Sequence, residues 1–464
     1  MFAEIANKAL SFISIPVYTR LLTVGDYGIV NVFVSTVGIV SILMTLNTET
    51  AISRYYYDAT DEEDFKNFVG TSVRLNLSIF VFMGTLLVLF SQYLSNITGL
   101  EKLLIFAMIP YSLYYYENSV FIQIFNPMMK SKKIAIVRSI SAYLTFGLSV
   151  VFMLLIGENK YYGVIIGTIV TILVLSGYII SQIRCYYKRD FNIKHVKYIL
   201  SFSVPYLPYS LSGVILAQFG RLIIGQQQGF ESAGLYSFAT NISAIMMILI
   251  SMTHSSWNPF YFRYMNAKDY HSIDNDYSII WKGTLLCGVG LSLFGGEIGA
   301  LLGRPEYLKQ LYLIPILVLG YCFYQWAYVF LRNTGYAKRM GWNSFVVIAS
   351  GALNVVLNAA LINKYGCNGV AFSFMVSYLF MLLLSWFINS VFIREYVPSM
   401  MQFVIPLLIS IPFFAYTMIN PTYNNYFVSL AIKIVLLIAL ILVYIYEWKD
   451  KIVQSIKIKR QTND

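Results

Sequence analysis

Apolar stretches of about twenty residues recur along the whole chain, parted by short polar joints, and that spacing dictates most of what the chain can become. Val69–Phe90, Ser141–Ile156, Val164–Ile183, Ile279–Leu302 and Val428–Tyr446 are examples. A helix rising about 1.5 Å per residue needs roughly twenty residues to cross a hydrocarbon core of ~30 Å. A soluble bundle of buried helices is the alternative, and composition closes it. The chain is 58% hydrophobic and 12% charged, with a mean hydropathy of +0.65; a soluble domain is about a quarter charged. The expected fold is therefore an all-α, polytopic membrane protein of about fourteen helices. Spans fall at roughly 3–22, 28–48, 69–90, 102–124, 136–156, 163–183, 204–226, 233–254, 278–302, 310–331, 342–362, 369–391, 401–419 and 426–446.

Charge tests this reading and orients it. Of the 33 Lys and Arg residues, Lys8, Arg74, Arg221 and Lys433 fall within spans. With the N-terminus inside, the outer side holds Arg20, Lys102, Lys160, Arg304, Lys309 and Lys364, and every other one lies inside. That asymmetry is the positive-inside pattern, so both termini are expected in the cytoplasm. The run Asp58, Asp61, Glu62, Glu63, Asp64 does not disturb it, because carboxylates contribute little to the rule. The net charge of +11 reflects topology and not nucleic-acid binding. Joints near 49–68, 184–203 and 255–277 reach about twenty residues and the others are shorter, which leaves no room for a soluble domain. The N-terminus does not read as a signal peptide: Glu4 and Lys8 interrupt its apolar run, and Pro16 and Arg20 follow. The first span begins at residue 2 or 3, so a few leader residues are expected ahead of it.

The two halves match at a nearly fixed offset. Arg20-Leu21-Leu22 recurs as Arg221-Leu222-Ile223, and Asp26-Tyr27-Gly28 finds a weaker echo in Ser232-Ala233-Gly234. Arg54-Tyr55 matches Arg263-Tyr264, Ile109-Pro110 matches Ile314-Pro315, and Lys132-Lys133 matches Lys338-Arg339. Asn159-Lys160-Tyr161 matches Asn363-Lys364-Tyr365. The order predicts a six-helix lobe over residues 1–198, its repeat over 199–395, and two extra helices with a basic tail over 396–464. Six spans is an even number, so the repeats are parallel, with the substrate path expected between them.

Pro16-Val17-Tyr18-Thr19-Arg20-Leu21-Leu22 followed by Gly25-Asp26-Tyr27-Gly28 resembles the first-span ending and tight turn of a known family. That family is the Wzx-type polysaccharide flippases of the multidrug/oligosaccharidyl-lipid/polysaccharide exporter superfamily. Fourteen spans, two lobes and a basic tail agree along the whole chain. The resemblance implies movement of an undecaprenyl-diphosphate-linked oligosaccharide, an O-antigen or capsule repeat unit, across the bacterial inner membrane. It also implies membrane lipids, a polysaccharide polymerase and a chain-length regulator as partners.

A carrier of that kind passes an anionic headgroup through oil, and arginine suits a diphosphate because its planar fork donates two parallel hydrogen bonds. Arg20 and Arg221 are the first candidates for the headgroup; their ordinary reading is snorkelling or ion pairing. Arg54 and Arg263, read as ending the second and eighth spans, are candidates at the entrance, against plain positive-inside anchoring. Arg74 and Lys8 are weaker ones. Glu117, Glu49 and Glu297 are the carboxylates in or nearest to spans, candidates for proton coupling or for structural pairing. Two aromatic clusters stand in repeat-equivalent spans: Tyr111, Tyr114, Tyr115, Tyr116, and Tyr321, Tyr324, Trp326, Tyr328. Such rings suit stacking on sugars, although interfacial belts and helix packing are the commoner use. Consecutive tyrosines point around a helix, so they cannot all line one cavity.

Nothing calls for a cofactor. No GxxxxGK[ST] loop occurs, His195, His254 and His271 are scattered, and Cys185, Cys287, Cys322 and Cys367 form no CxxC pair. A membrane glycosyltransferase or polymerase would place its catalytic residues in a substantial outer loop, which is lacking, so the chain does not read as an enzyme. A multidrug cation antiporter and a lipid II flippase of the same superfamily are the nearer alternatives. An acidic pocket in the first lobe would favour the antiporter, yet the first span carries Lys8 and Arg20 beside Glu4.

Overall fold

In hydrocarbon each backbone N–H and C=O must be satisfied within its own segment, so apolar runs of this length can only be helices. The computed structural model describes residues 2–393, 395–419 and 426–461; the side chains of residues 2–6, 8, 9, 11, 426 and 447–461, Lys8 and the basic tail among them, lie outside it. The helices are α1 (Phe2–Leu21), α2 (Val24–Thr45), α3 (Thr50–Tyr55), α4 (Glu62–Leu89), α5 (Ser91–Thr98), α6 (Lys102–Phe125), α7 (Ser131–Leu155) and α8 (Tyr161–Arg184). Then come α9 (Ile193–Ser243), α10 (Ile245–Ala267), α11 (Tyr270–Leu293), α12 (Gly295–Leu302) and a 3₁₀ segment (Pro305–Leu313). The chain continues through α13 (Ile314–Tyr336), α14 (Met340–Ile388), a π turn (Asn389–Ile393), α15 (Met401–Ile419) and α16 (Tyr426–Gln461).

Two of these helices are each two rods. Gly229 (φ 83°) breaks α9 and Gly366 (φ 57°) breaks α14, both with left-handed backbone that favours glycine. Among the described residues nine helices are long and apolar enough to cross a membrane, eleven counting two bent pairs. The runs Ile193–Ala267 and Met340–Ile393, each broken at its glycine, hold two passages apiece. With the more polar α1 these make the fourteen that hydropathy spacing predicts. Phe427–Tyr446 is only 11% buried at a mean hydropathy of 2.9, so lipid must cover what protein does not. The chain is a polytopic all-α membrane protein.

The structure shortens the three long joints. α4 starts at Glu62, α9 at Ile193, and α10 runs on to Ala267. Asp61 caps α4 by accepting from the Asp64 N–H at 2.8 Å, and acidic residues in a first turn suit the positive end of the helix dipole. A run of charge that ends a membrane span therefore does not end a helix. Arg54 does not close the second span either. Leu46 and Asn47 turn the chain with left-handed backbone (φ 47° and 51°), and Arg54 stands on the separate helix α3. There Tyr55 donates to Asp64 at 2.8 Å; burial and that carboxylate push its phenol up.

Packing divides the chain into two compact units. The first is Met1–Ser237 with Leu302–Tyr307 and Gly351–Val370; the second is Phe238–Leu301, Leu308–Ser350 and Ala371–Asp464. In the first, α7 and α8 meet most closely where Gly163 and Gly167 lie against the backbone at Met153 and Ser149, a small-residue contact of the kind membrane helices favour. In the second, Trp281, Trp326 and Phe403 form a buried aromatic core, the Trp281 indole donating to the Phe403 carbonyl at 2.9 Å.

The opening motif is a clasped turn. Thr23 and Asp26 form a reciprocal capping box at the start of α2. The hydroxyl of Tyr307 donates to the carbonyls of Leu22 (3.1 Å) and Thr23 (3.0 Å), and Arg304 donates to Leu22 at 2.8 Å. Gly28 abuts the Phe230 carbonyl, and Gly234 in turn abuts that of Val24. Any side chain at either position would displace backbone.

Candidate functional site

The first unit carries a polar seam where α2 faces the rod 193–228. Gln218 sits at its centre: its amide oxygen accepts from the Ser35 hydroxyl at 3.0 Å and from the Arg221 guanidinium at 2.8 Å. Further along, the Asn47 amide donates to Ser210. Arg221 is half-buried there, within a span and hydrogen-bonded, as a charge inside a membrane protein must be. Arg20 differs. It is exposed in the last turn of α1 and has no hydrogen bond or ion pair to the described residues.

Arg20 stands in the last turn of α1, and Arg221 on the rod 193–228, well before the break at Gly229.

The remaining cations are dispersed. Arg54 is mostly exposed, with Asp58 at 3.5 Å. Arg74 is tied to the 185–192 joint, donating to the Tyr187 hydroxyl at 3.1 Å and to the Arg189 carbonyl. Arg263, in the second unit, is exposed, with its guanidinium 5.8 Å from the Phe260 ring centroid. Within a unit the structure brings none of these arginines together.

Among the carboxylates, Glu49 and Glu117 are buried in the first unit. Glu49 accepts from Ser119 at 3.3 Å, and Glu117 stands in the same unit on α6. Glu297 is paired with Lys433 at 2.6 Å. The aromatic clusters separate as helix geometry requires. Tyr111 donates to the Ile165 carbonyl (3.3 Å), Tyr114 meets Ser141 (2.9 Å), Tyr116 donates to Ser72 (3.3 Å), and Tyr115 alone of the four is exposed. In the second cluster Trp326 is spent on packing: Phe403 stacks at 4.8 Å and Trp281 lies at 5.0 Å, leaving no face for a sugar. Tyr321 packs on Phe374 and Tyr324 on Tyr378.

Sequence reasoning missed the most enclosed arginine among the described residues. Arg332, read as an ordinary anchor in a joint, is buried inside α13 beneath three rings: Trp257 at 4.8 Å, Tyr328 at 5.1 Å and Tyr261 at 5.5 Å. The His254 ring stacks on Tyr328 at 3.7 Å, beside it. Tyr328 one turn before Arg332 was the signal, since cations seek ring faces when water is withheld.

Comparisons agree with this architecture. The chain aligns over 97% of its length with 99% of a structure described as "Lipid II flippase MurJ, inward closed conformation", at 16% identity and a TM-score of 0.74. An inward-facing multidrug resistance MATE family transporter of the MOP superfamily matches 87% of this chain over 94% of its own, at 14% identity and a TM-score of 0.65. A MOP superfamily transporter from Pyrococcus furiosus matches 89% over 94%, at 13% identity and 0.56. At such identities the likeness speaks for the fold, which is that of the superfamily the opening motif resembles. No curated protein sequence matches the chain. The model of one family, described as "Polysaccharide biosynthesis protein", matches residues 1–265, more than half of the sequence, and the chain belongs to that family.

Proposed function

We propose that the protein is a flippase that moves an undecaprenyl-diphosphate-linked oligosaccharide repeat unit of O-antigen or capsule from the cytoplasmic to the outer face of the bacterial inner membrane. The observation that carries this reading is a polysaccharide-biosynthesis family match on a chain built almost wholly of membrane passages. The longest stretch outside helices among the described residues is 185–192. Stretches that short among the described residues suit carrying a precursor across better than making or joining sugars. Arg20 and Arg221 contact the diphosphate, Arg54 and Arg263 receive it at the entrance, and Arg74 and Lys8 contribute charge. The exposed Tyr115 is the ring of its cluster free to meet a sugar. The six-helix repeats over 1–198 and 199–395 alternate access, with both termini in the cytoplasm, and residues 396–464 stand outside the repeat. Glu117 and Glu49 are the groups for proton coupling; Glu297 takes the pairing role.

Proteoliposomes test this. Purified protein should speed transfer of a fluorescent undecaprenyl-diphosphate-linked oligosaccharide into the protected leaflet, and an imposed pH gradient should alter the rate. No acceleration over empty vesicles would remove the flippase reading; acceleration indifferent to the gradient would remove the coupling. Lipid II in a parallel arm separates the nearest alternative, which the likeness to the MurJ fold raises.

A further inference from the structure

A cleft of about 750 Å³ opens in the side of the first unit, a volume within the roughly 300–1,000 Å³ of small-ligand sites. α4, α6 and α8 form its walls, and the 185–192 joint lies at one end. Its lining sorts by chemistry. Leu77, Phe80, Leu113, Val120 and Ile180 make the apolar part, and Arg184, Tyr187 and Arg189 gather at the joint. On α4 the lining runs from Val73 to Phe80, about 10 Å at the helical rise. Leu77 is 57% exposed and Ile180 39%, so the cleft opens sideways toward hydrocarbon.

The cations at its mouth are uncommitted. Arg184 and Arg189 are exposed, and among the described residues neither guanidinium has a hydrogen bond or an ion pair. Lys188 beside them is held by Glu63 and, at 3.5 Å, by Asp190. Arg74 fixes the segment by bonding Tyr187 and the Arg189 carbonyl, and Gly70 lets the Lys188 carbonyl lie against α4. Glu117 is the one carboxylate in the lining, against two arginines, so the cleft is net positive.

We propose that this cleft binds one anionic phospholipid from the leaflet at the level of the joint. Its phosphate sits on Arg184 and Arg189 and an acyl chain lies along the apolar wall. Anchoring at the interface would account for the arginines but not for an apolar trough beneath them, whereas a lipid needs both. The cleft is bounded wholly by the first unit and opens to hydrocarbon, where a leaflet lipid diffuses in. The assignment does not depend on what the protein carries.

Full-length protein in phosphatidylcholine nanodiscs, titrated with phosphatidylglycerol and read by native mass spectrometry, tests it. One saturable phosphatidylglycerol per chain is expected. Replacing both arginines (R184Q/R189Q) should weaken it about thirty-fold, two basic contacts at a membrane surface having been lost. Ile180→Trp fills the trough, keeps both arginines and should abolish saturable binding. Unchanged affinity in either variant, at an unaltered melting temperature, overturns the proposal, and so does equal affinity for phosphatidylcholine. Displacement by undecaprenyl diphosphate at lower concentration than by phosphatidylglycerol would reassign the cleft to the carried lipid and overturn it as well. The readout is occupancy and not transport, so its failure is distinct from failure of the flippase reading.

Discussion

Arg221 donates to Gln218 at 2.8 Å, and its planar guanidinium is a forked donor that keeps its charge, which lysine cannot reproduce. Arg221→Ala should abolish surface polysaccharide at unchanged protein abundance, while Arg221→Lys retains part of it, charge surviving without the fork. Complementation of a deletion strain, with immunoblotting for the protein, checks both. Gln218→Leu should lower activity less than Arg221→Ala in the same assay, because it removes the support and not the charge. Sequence alone indicated that Arg221 lies inside a span, since Leu222, Ile223 and Ile224 flank it. It could not indicate Gln218 or Ser35, because glutamine and serine in an apolar run look alike whether they face lipid, a partner or water. Arg332 escaped for a related reason: a cation near a helix end reads as an anchor until the rings that roof it are seen.

At the scale of elements, the spans were legible because the bilayer imposes one length on each of them. Their extensions past the bilayer were not, since Asp61 and Glu62–Asp64 prolong α4 outside the layer where hydropathy has nothing to measure. Close packing was equally hidden, because a glycine in a span carries no mark of its neighbour. Gly167 presses on the backbone at Ser149, whereas Gly177 in the same helix has nothing within 4 Å of where a Cβ would stand. Gly167→Leu should therefore cost about 1–3 kcal/mol through overpacking, and Gly177→Leu should be nearly neutral. Thermal unfolding of the detergent-solubilised variants followed by size-exclusion fluorescence measures the difference.

The whole molecule has a charge asymmetry that makes orientation testable with a thiol it already carries. Cys185 is exposed at the end of α8, while Cys322 and Cys367 are buried. In a Cys287→Ser background, Cys185 should react in intact cells with a membrane-permeant maleimide and not with an impermeant one; labelling by the impermeant reagent would invert the topology. Gly28 and Gly234, both in the first unit, bring their segments together main chain to main chain. That contact also limits how the molecule can move. Where two helices touch main chain to main chain there is no layer of side chains to shear or to take up slack, so these two segments are expected to travel as one piece, and whatever rearranges in the molecule must do so elsewhere.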